Sequence, residues 1–227
     1  MYTPPLFKQD RAASLAFAQE RGFGTVCAWS GARPIASSLP FYVSHADDGT
    51  AEAWFHVARQ NPLAALADGQ AAWLLAVNGP DAYVSADWYA SADQVPTWLY
   101  QAVHLSGPVR RLSDAELAVQ IDTLSAKFEN WLLPKKPWTS AKMTPERFEA
   151  MKKAIVGLVM TVEDVEGSFK LNQHKSEADY AAVAGALAAR PDTASQQIAG
   201  LMRNVRPTAF VAETAGNKEV ATLEGDM

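Results

Sequence analysis

Between Phe23 and Leu112 the chain is a succession of short extended apolar runs broken by turn residues, and no other feature narrows its fold so far. Phe23 to Trp29 reads as a buried strand. Ser30-Gly31-Ala32 turns it into Arg33 to Val43, an extended run with Pro40 near its end, so the two make a hairpin. His45 to Thr50 is a second turn and Ala51 to Arg59 the next strand, which predicts three consecutive antiparallel strands by residue 60. Gln70 to Asn78 is the most apolar strand and is expected at the centre. Asn78-Gly79-Pro80-Asp81 is expected to break it sharply before a short return strand, Ala82 to Ser85. Gln101 to Leu112 alternates Val103, Leu105 and Val109 and is expected to bulge at Gly107-Pro108. About six strands at this spacing, with few helices between them, favour a small antiparallel barrel over a parallel sheet.

Helices flank these strands. Asp10 is placed to cap a helix through Arg21 that Gly22 stops. Ser113-Asp114-Ala115-Glu116 is a capping box opening a helix to about Asn130, with Leu117, Ile121, Leu124 and Phe128 on its inner face. Thr144-Pro145-Glu146 starts another. Ala154 to Val165 is a late apolar extended run that the core needs for closure, so a cut at the capping box releases no independent domain. Gly167-Ser168 is expected to turn, Phe169 to His174 to run extended, and Ser176 to cap a helix through Arg190, with a last helix from Thr193 to Asn204. The fold class is therefore mainly β with α, an α+β barrel with peripheral helices. Residues 1–190 are expected to form one domain, and 191–227 a C-terminal helix with a flexible tail.

Composition excludes several functions. At 227 residues, 48% hydrophobic and 20% charged, the chain can bury a substantial core. Its net charge of −5 argues against a nucleic-acid footprint, and the basic pairs Arg110-Arg111, Lys135-Lys136 and Lys152-Lys153 read as solvated surface. The single cysteine, Cys27, lies in an apolar run and excludes an internal disulfide. The amino terminus lacks the layout of a secretory signal and the longest apolar run, Ala71 to Val77, is too short to cross a bilayer, so a cytoplasmic protein without membrane contact is expected.

Catalytic hardware is missing from the sequence. It holds no P-loop, no GxSxG elbow and no HExxH, and its four histidines show no metal spacing, so no catalytic or metal residue is named. His56 and His104 sit within strands, where a satisfied barrel histidine is the plainer reading. The stretch Trp54 to Pro62 offers more. Period-two alternation sends Phe55, Val57 and Arg59 to one side, so Arg59 leaves the strand end on a fixed face. Pro62 then opens a short helix candidate to Ala67, and a guanidinium beside free helix N–H groups suits a phosphate. An Arg59 paired with a carboxylate is the alternative. The aromatics Trp54, His56, Tyr83, Trp88, Tyr89, Trp98 and Tyr100, with Ser85 among them, could line a slot for a flat ring. Ser37, Ser38 and Thr97 would hydrogen bond to its edge, although core packing accounts equally for part of the aromatic set.

Several blocks together resemble one family. They are the leader Met1-Tyr2-Thr3-Pro4-Pro5-Leu6-Phe7, His56-Val57-Ala58-Arg59-Gln60-Asn61-Pro62, Gly79-Pro80-Asp81-Ala82-Tyr83-Val84-Ser85 with Trp88-Tyr89, Val95-Pro96-Thr97-Trp98, and Phe169-Lys170-Leu171-Asn172-Gln173. In this order, over residues 1 to about 190, they are similar to the PaiB-type FMN-binding negative transcriptional regulators. The resemblance implies an FMN-binding split β-barrel, of the flavin-reductase and pyridoxamine-phosphate-oxidase kind, assembled as a homodimer with FMN at the subunit interface. It implies that Ser37, Ser38, Leu39 and Pro40 edge the ring and that Arg59 and Asn61 serve the phosphate. His56, Tyr83 and Ser85 would line the site, and Trp98 with the segment Lys170-Leu171-Asn172-Gln173 would close it, from the same or the partner subunit. Three residues depart from the family pattern: Ser38 for histidine, Leu99 for asparagine after Thr97-Trp98, and His174 for asparagine. The implied function is regulation by indirect action, through flavin or a sensed small molecule. The alternatives are an FMN-dependent oxidoreductase and a haem-binding barrel with a histidine such as His174 as ligand.

Overall fold

The computed structural model describes residues 1–210, so the expected flexible tail lies almost wholly outside the described residues. The elements in order are β1 (Lys8–Gln9), α1 (Arg11–Arg21), β2 (Phe23–Trp29), β3 (Pro34–Pro40), β4 (Tyr42–His45), β5 (Ala51–Ala58), α2 (Leu63–Leu66), β6 (Asp68–Val84) and β7 (Thr97–Arg111). They continue with α3 (Asp114–Glu129), α4 (Pro145–Lys152), β8 (Ile155–Thr161), β9 (Asp164–Lys170), α5 (Glu177–Ala188) and α6 (Thr193–Val205). Two compact units share this chain. The first holds Asp10–Val77 and Val103–Glu166 with Met1, and the second holds Tyr2–Gln9, Asn78–Ala102 and the chain from Gly167.

The first unit is a sheet in the order β3-β2-β6-β7-β8-β5-β4. Its two end strands are consecutive in the chain, joined through Phe41 alone, so the sheet has to curl until its ends approach. Phe41 is fully buried at that corner and its N–H donates to the Gly22 carbonyl at 2.8 Å. The expected β2–β3 hairpin forms, with Trp29 opposite Pro34, but β4 starts the far edge and pairs with β5, so the three early strands are not neighbours in series. β8 lies between β5 and β7, which bears out that the late apolar run completes the sheet. Phe55, Val57, Leu75, Val77, Leu105, Val109, Leu158 and Met160 form the core.

Local signals account for the helix ends. The Asp10 carboxylate accepts from the Ala13 N–H at 2.7 Å, and Gly22, at φ 58°, takes the left-handed turn that stops α1. At α3 the capping box closes both ways: Ser113 Oγ accepts from the Glu116 N–H and the Glu116 carboxylate accepts from the Ser113 N–H. α3 packs on β5 and β8 through Leu117, Gln120 and Leu124.

The second unit takes the distal part of β6, the first part of β7, β9, β1 and the helices α5 and α6. Its core joins Val84, Leu99 and Leu171 to Tyr180, Val183, Leu187, Ile198 and Met202. The Tyr180 hydroxyl donates to the Met202 carbonyl at 2.8 Å, tying α5 to α6.

Three expected breaks are absent. β6 runs straight through Gly79-Pro80. The β2–β6 ladder ends at Thr25 and Ala76, so Pro80 lies beyond it and its missing N–H costs no bond in that ladder. Gly107 lies within continuous β7, where a Cβ would come to 1.8 Å from the Thr161 carbonyl oxygen; a close backbone crossing, not a bulge, demands the glycine. Gly167 and Ser168 pair with Gln9 and Lys8 inside β9 instead of turning.

Candidate functional site

In the first unit the strand end at Arg59 is built by three backbone-directed contacts. The Arg59 N–H donates to the Ala154 carbonyl at 2.8 Å, its Nε to the Lys153 carbonyl, and its Nη2 to the Ile155 carbonyl at 2.9 Å. The guanidinium is exposed and has no carboxylate partner among the described residues, and Nη1 makes no protein hydrogen bond there. An arginine fixed through one edge of its fork, with the other edge open, is a preorganised anion receptor.

Asn61 joins this end to β3. Its Nδ2 donates to Ser37 Oγ at 2.8 Å while its Oδ1 accepts from the Leu63 N–H at 3.0 Å. The amide thus takes one of the N–H groups at the start of α2 that the sequence had offered to phosphate. Arg111, which is exposed as expected, also meets the same helix, its Nε and Nη2 donating to the Ala64 carbonyl at 3.1 and 2.6 Å.

β3 pairs with β2 alone, as an edge of the strand order. Ser38 Oγ lies 3.0 Å from Thr25 Oγ1, Leu39 is buried and Pro40 is half-buried. The structure therefore joins Asn61 to Ser37, with Ser38, Leu39 and Pro40 along the same strand, while the Arg59 guanidinium, two residues before Asn61 in the chain, is held at the carbonyls of Lys153 and Ile155. His56 is elsewhere on β5: its Nδ1 lies 3.2 Å from Gln120 Nε2 under α3, and burial holds its pKa below the ordinary histidine value. That is the satisfied-histidine arrangement.

The second unit holds the remaining residues. Tyr83 and Trp98 meet edge to face at 6.0 Å, both about half exposed, beside a cavity of about 490 Å³ that also touches Asp81, Trp88 and Arg190. Ser85 Oγ accepts from the Asp87 N–H at 3.3 Å and caps a short 3₁₀ turn. Lys170 Nζ donates to Thr97 Oγ1 at 2.5 Å. Gln173 closes its own loop, donating to the Phe169 carbonyl at 2.6 Å and accepting from the Leu171 N–H at 2.8 Å. Asn172 and Tyr89, expected in the closing segment and in the aromatic slot, are bonded to each other at 3.2 Å, a pairing across 83 residues that the sequence did not reveal. Leu99, one of the departures, is fully buried in the apolar core.

Among the described residues no cluster of three His, Cys, Asp or Glu side chains could hold a metal, and no helix is long and apolar enough to cross a membrane. The donor set of the first unit fits FMN, with a half-open guanidinium for a phosphate and hydroxyls beside an edge strand for a polar ring edge.

Comparisons with known proteins agree. A family model described as "Putative FMN-binding domain" matches residues 1–164. The protease synthase and sporulation protein PAI 2 of Bacillus subtilis (strain 168) is 35% identical over 205 residues, covering 90% of this chain and 97% of that one. An uncharacterised protein of Emericella nidulans is 28% identical, covering 65% and 70%. Among solved structures, the FAD and heme binding protein from Mycobacterium smegmatis superposes with a TM-score of 0.52 at 18% identity, covering 71% of each chain. The flavocytochrome Anf3 from Azotobacter vinelandii does so with 0.50 at 16%, covering 72% and 69%. These likenesses are of fold, and the fold is the α+β split β-barrel.

Proposed function

Because this chain belongs to the FMN-binding domain family, we propose that it is a cytoplasmic, homodimeric flavoprotein that holds FMN at the Ser37–Asn61–Arg59 corner and regulates transcription indirectly. The supporting observation is the 2.8 Å bond from Asn61 to Ser37, which ties the strand expected at the ring edge to the strand end expected at the phosphate. Arg59 receives the phosphate through its open Nη1 edge, and Ser37 and Ser38 face the ring's polar rim. Lys170 and Gln173 are engaged locally and are not needed by this reading. When bound, FMN supplies one- or two-electron chemistry that the protein side chains lack.

Indirect action fits a chain of net charge −5 whose basic pairs are partly spoken for, Arg110 by Glu116 at 2.9 Å and Arg111 by α2. The test is the visible spectrum of the purified protein, with FMN titrated by fluorescence quenching into wild type and Arg59→Ala. A yellow protein with weakened binding in the variant is expected; equal affinity in both would remove Arg59 from the site. Sequence-specific retardation of DNA at physiological salt would overturn indirect action. Bleaching by a nicotinamide donor would instead mark an oxidoreductase.

A further inference from the structure

The second unit contains a cavity of about 220 Å³ that the flavin reading does not use. Lys170, His174 and Lys175 line it together with Asn172, Phe7 and Tyr89, and no carboxylate does. Both ammonium groups rest on neutral acceptors: Lys170 on Thr97 Oγ1 and Lys175 on Gln94 Oε1, each at 2.5 Å, with the latter also 4.8 Å from the centre of the Tyr89 ring. Neither lysine forms an ion pair among the described residues, although both are half-buried. Two cations sharing one concavity without an acid repel each other, and an anion would relieve that cost.

The walls are built rather than incidental. Asn172 is 1% exposed and held at φ 61°, its Nδ2 donating to the Tyr89 hydroxyl at 3.2 Å while its buried Oδ1 has no partner. A strained, under-satisfied amide at a cavity wall is a usual mark of a ligand site, and its orphan oxygen calls for a donor, which a water bridging to the ligand supplies. Gln173 braces the loop from within, and Arg206 braces it from α6, donating to the Lys175 carbonyl at 2.7 Å. On the other side the Phe7 ring meets His174 edge to face at 5.8 Å.

We propose that this cavity binds a small organic carboxylate, its charge held by Lys170 and Lys175 and its apolar body against Phe7 and Tyr89. The space equals the liquid volume of about seven waters, which admits a benzoate-sized acid. The aromatic walls favour an acid with a flat apolar body over inorganic phosphate. The site uses none of Ser37, Asn61 or Arg59, and it takes over Tyr89, Thr97 and Lys170, which the sequence had offered to the flavin.

His174 reports on occupancy. Burial first, then Lys175 and Lys170, hold its pKa below the ordinary value. Arg206 and Glu177, 4.0 Å apart, are the other charges near this loop. A bound carboxylate favours the imidazolium and raises that pKa.

The experiment uses the full chain saturated with FMN, titrated with benzoate and, separately, with inorganic phosphate up to about 10 mM. Calorimetry reads binding and the His174 ring resonances read its pKa. Benzoate binding that raises the His174 pKa, and that weakens about tenfold in Lys175→Gln, is expected. Lys170→Gln is the second variant, judged on samples whose melting matches wild type. Absence of benzoate binding, equal binding in both variants, tighter binding of phosphate, or displacement of FMN by benzoate would each overturn the proposal.

Discussion

Arg59 holds its position through carbonyl groups nearly a hundred residues away, so replacing it has two separable effects. Arg59→Ala removes a charge-assisted pair to phosphate and should weaken FMN binding by about 1.5–3 kcal/mol in a fluorescence titration. It also frees the Lys153 and Ile155 carbonyls, so the melting temperature should fall even without flavin. Arg59→Lys keeps the charge without the fork and should fall between the two in affinity. Leu99 makes a second case. It is fully buried among Val84, Leu171 and Tyr180, so Leu99→Asn, which restores the family residue, should destabilise the fold by about 2 kcal/mol or more in denaturant unfolding. Pro62 made the strand end at Arg59 legible in the sequence, whereas period two did not give its face: Phe55 and Val57 are buried and Arg59, just past the end of β5, is exposed. The carbonyls that orient it were not, because residues 94 and 96 positions away leave no local trace.

At the level of elements, Gly107 is the least replaceable residue in β7. Gly107→Ala would drive a methyl group into the Thr161 carbonyl, and a loss of about 3 kcal/mol or more in unfolding free energy is expected, with only partial rescue by ligand. The capping box gives a pH signature. Glu116 has its pKa lowered from 4.5 to about 2, first by its bond from Arg110 and then by the Ser113 N–H. Because the folded-state value is the lower one, the stabilisation is complete above pH 4.5 and is lost as pH falls towards 2. Stability measured across that window should therefore fall more steeply in wild type than in Glu116→Gln. Capping residues, strand alternation and the late strand were all readable because each depends on neighbours within a few positions. The Gly79-Pro80 and Gly167-Ser168 pairs misled for the opposite reason. Whether a glycine or proline turns a chain or passes through a strand depends on which partner lies alongside, and only the assembled sheet decides that.

For the molecule as a whole, sedimentation should give twice the 24.6 kDa chain mass if the homodimer holds, and a monomer with bound FMN would refute it. The consecutive exposed residues Trp131, Leu132 and Leu133 are apolar surface that a partner copy would cover. The barrel class was legible from strand count and spacing, whereas the curl follows from a single-residue link between the two ends of the strand order.

The seat of β8 between β5 and β7 also governs how the protein is made. Val57 has to wait for Val156, so at ribosomal speeds of about 5–20 residues per second the emerging polypeptide carries a bare, sticky strand flank for about 5–20 seconds. Overexpression should consequently strain chaperone capacity, and co-expressed chaperones should raise the recovered yield.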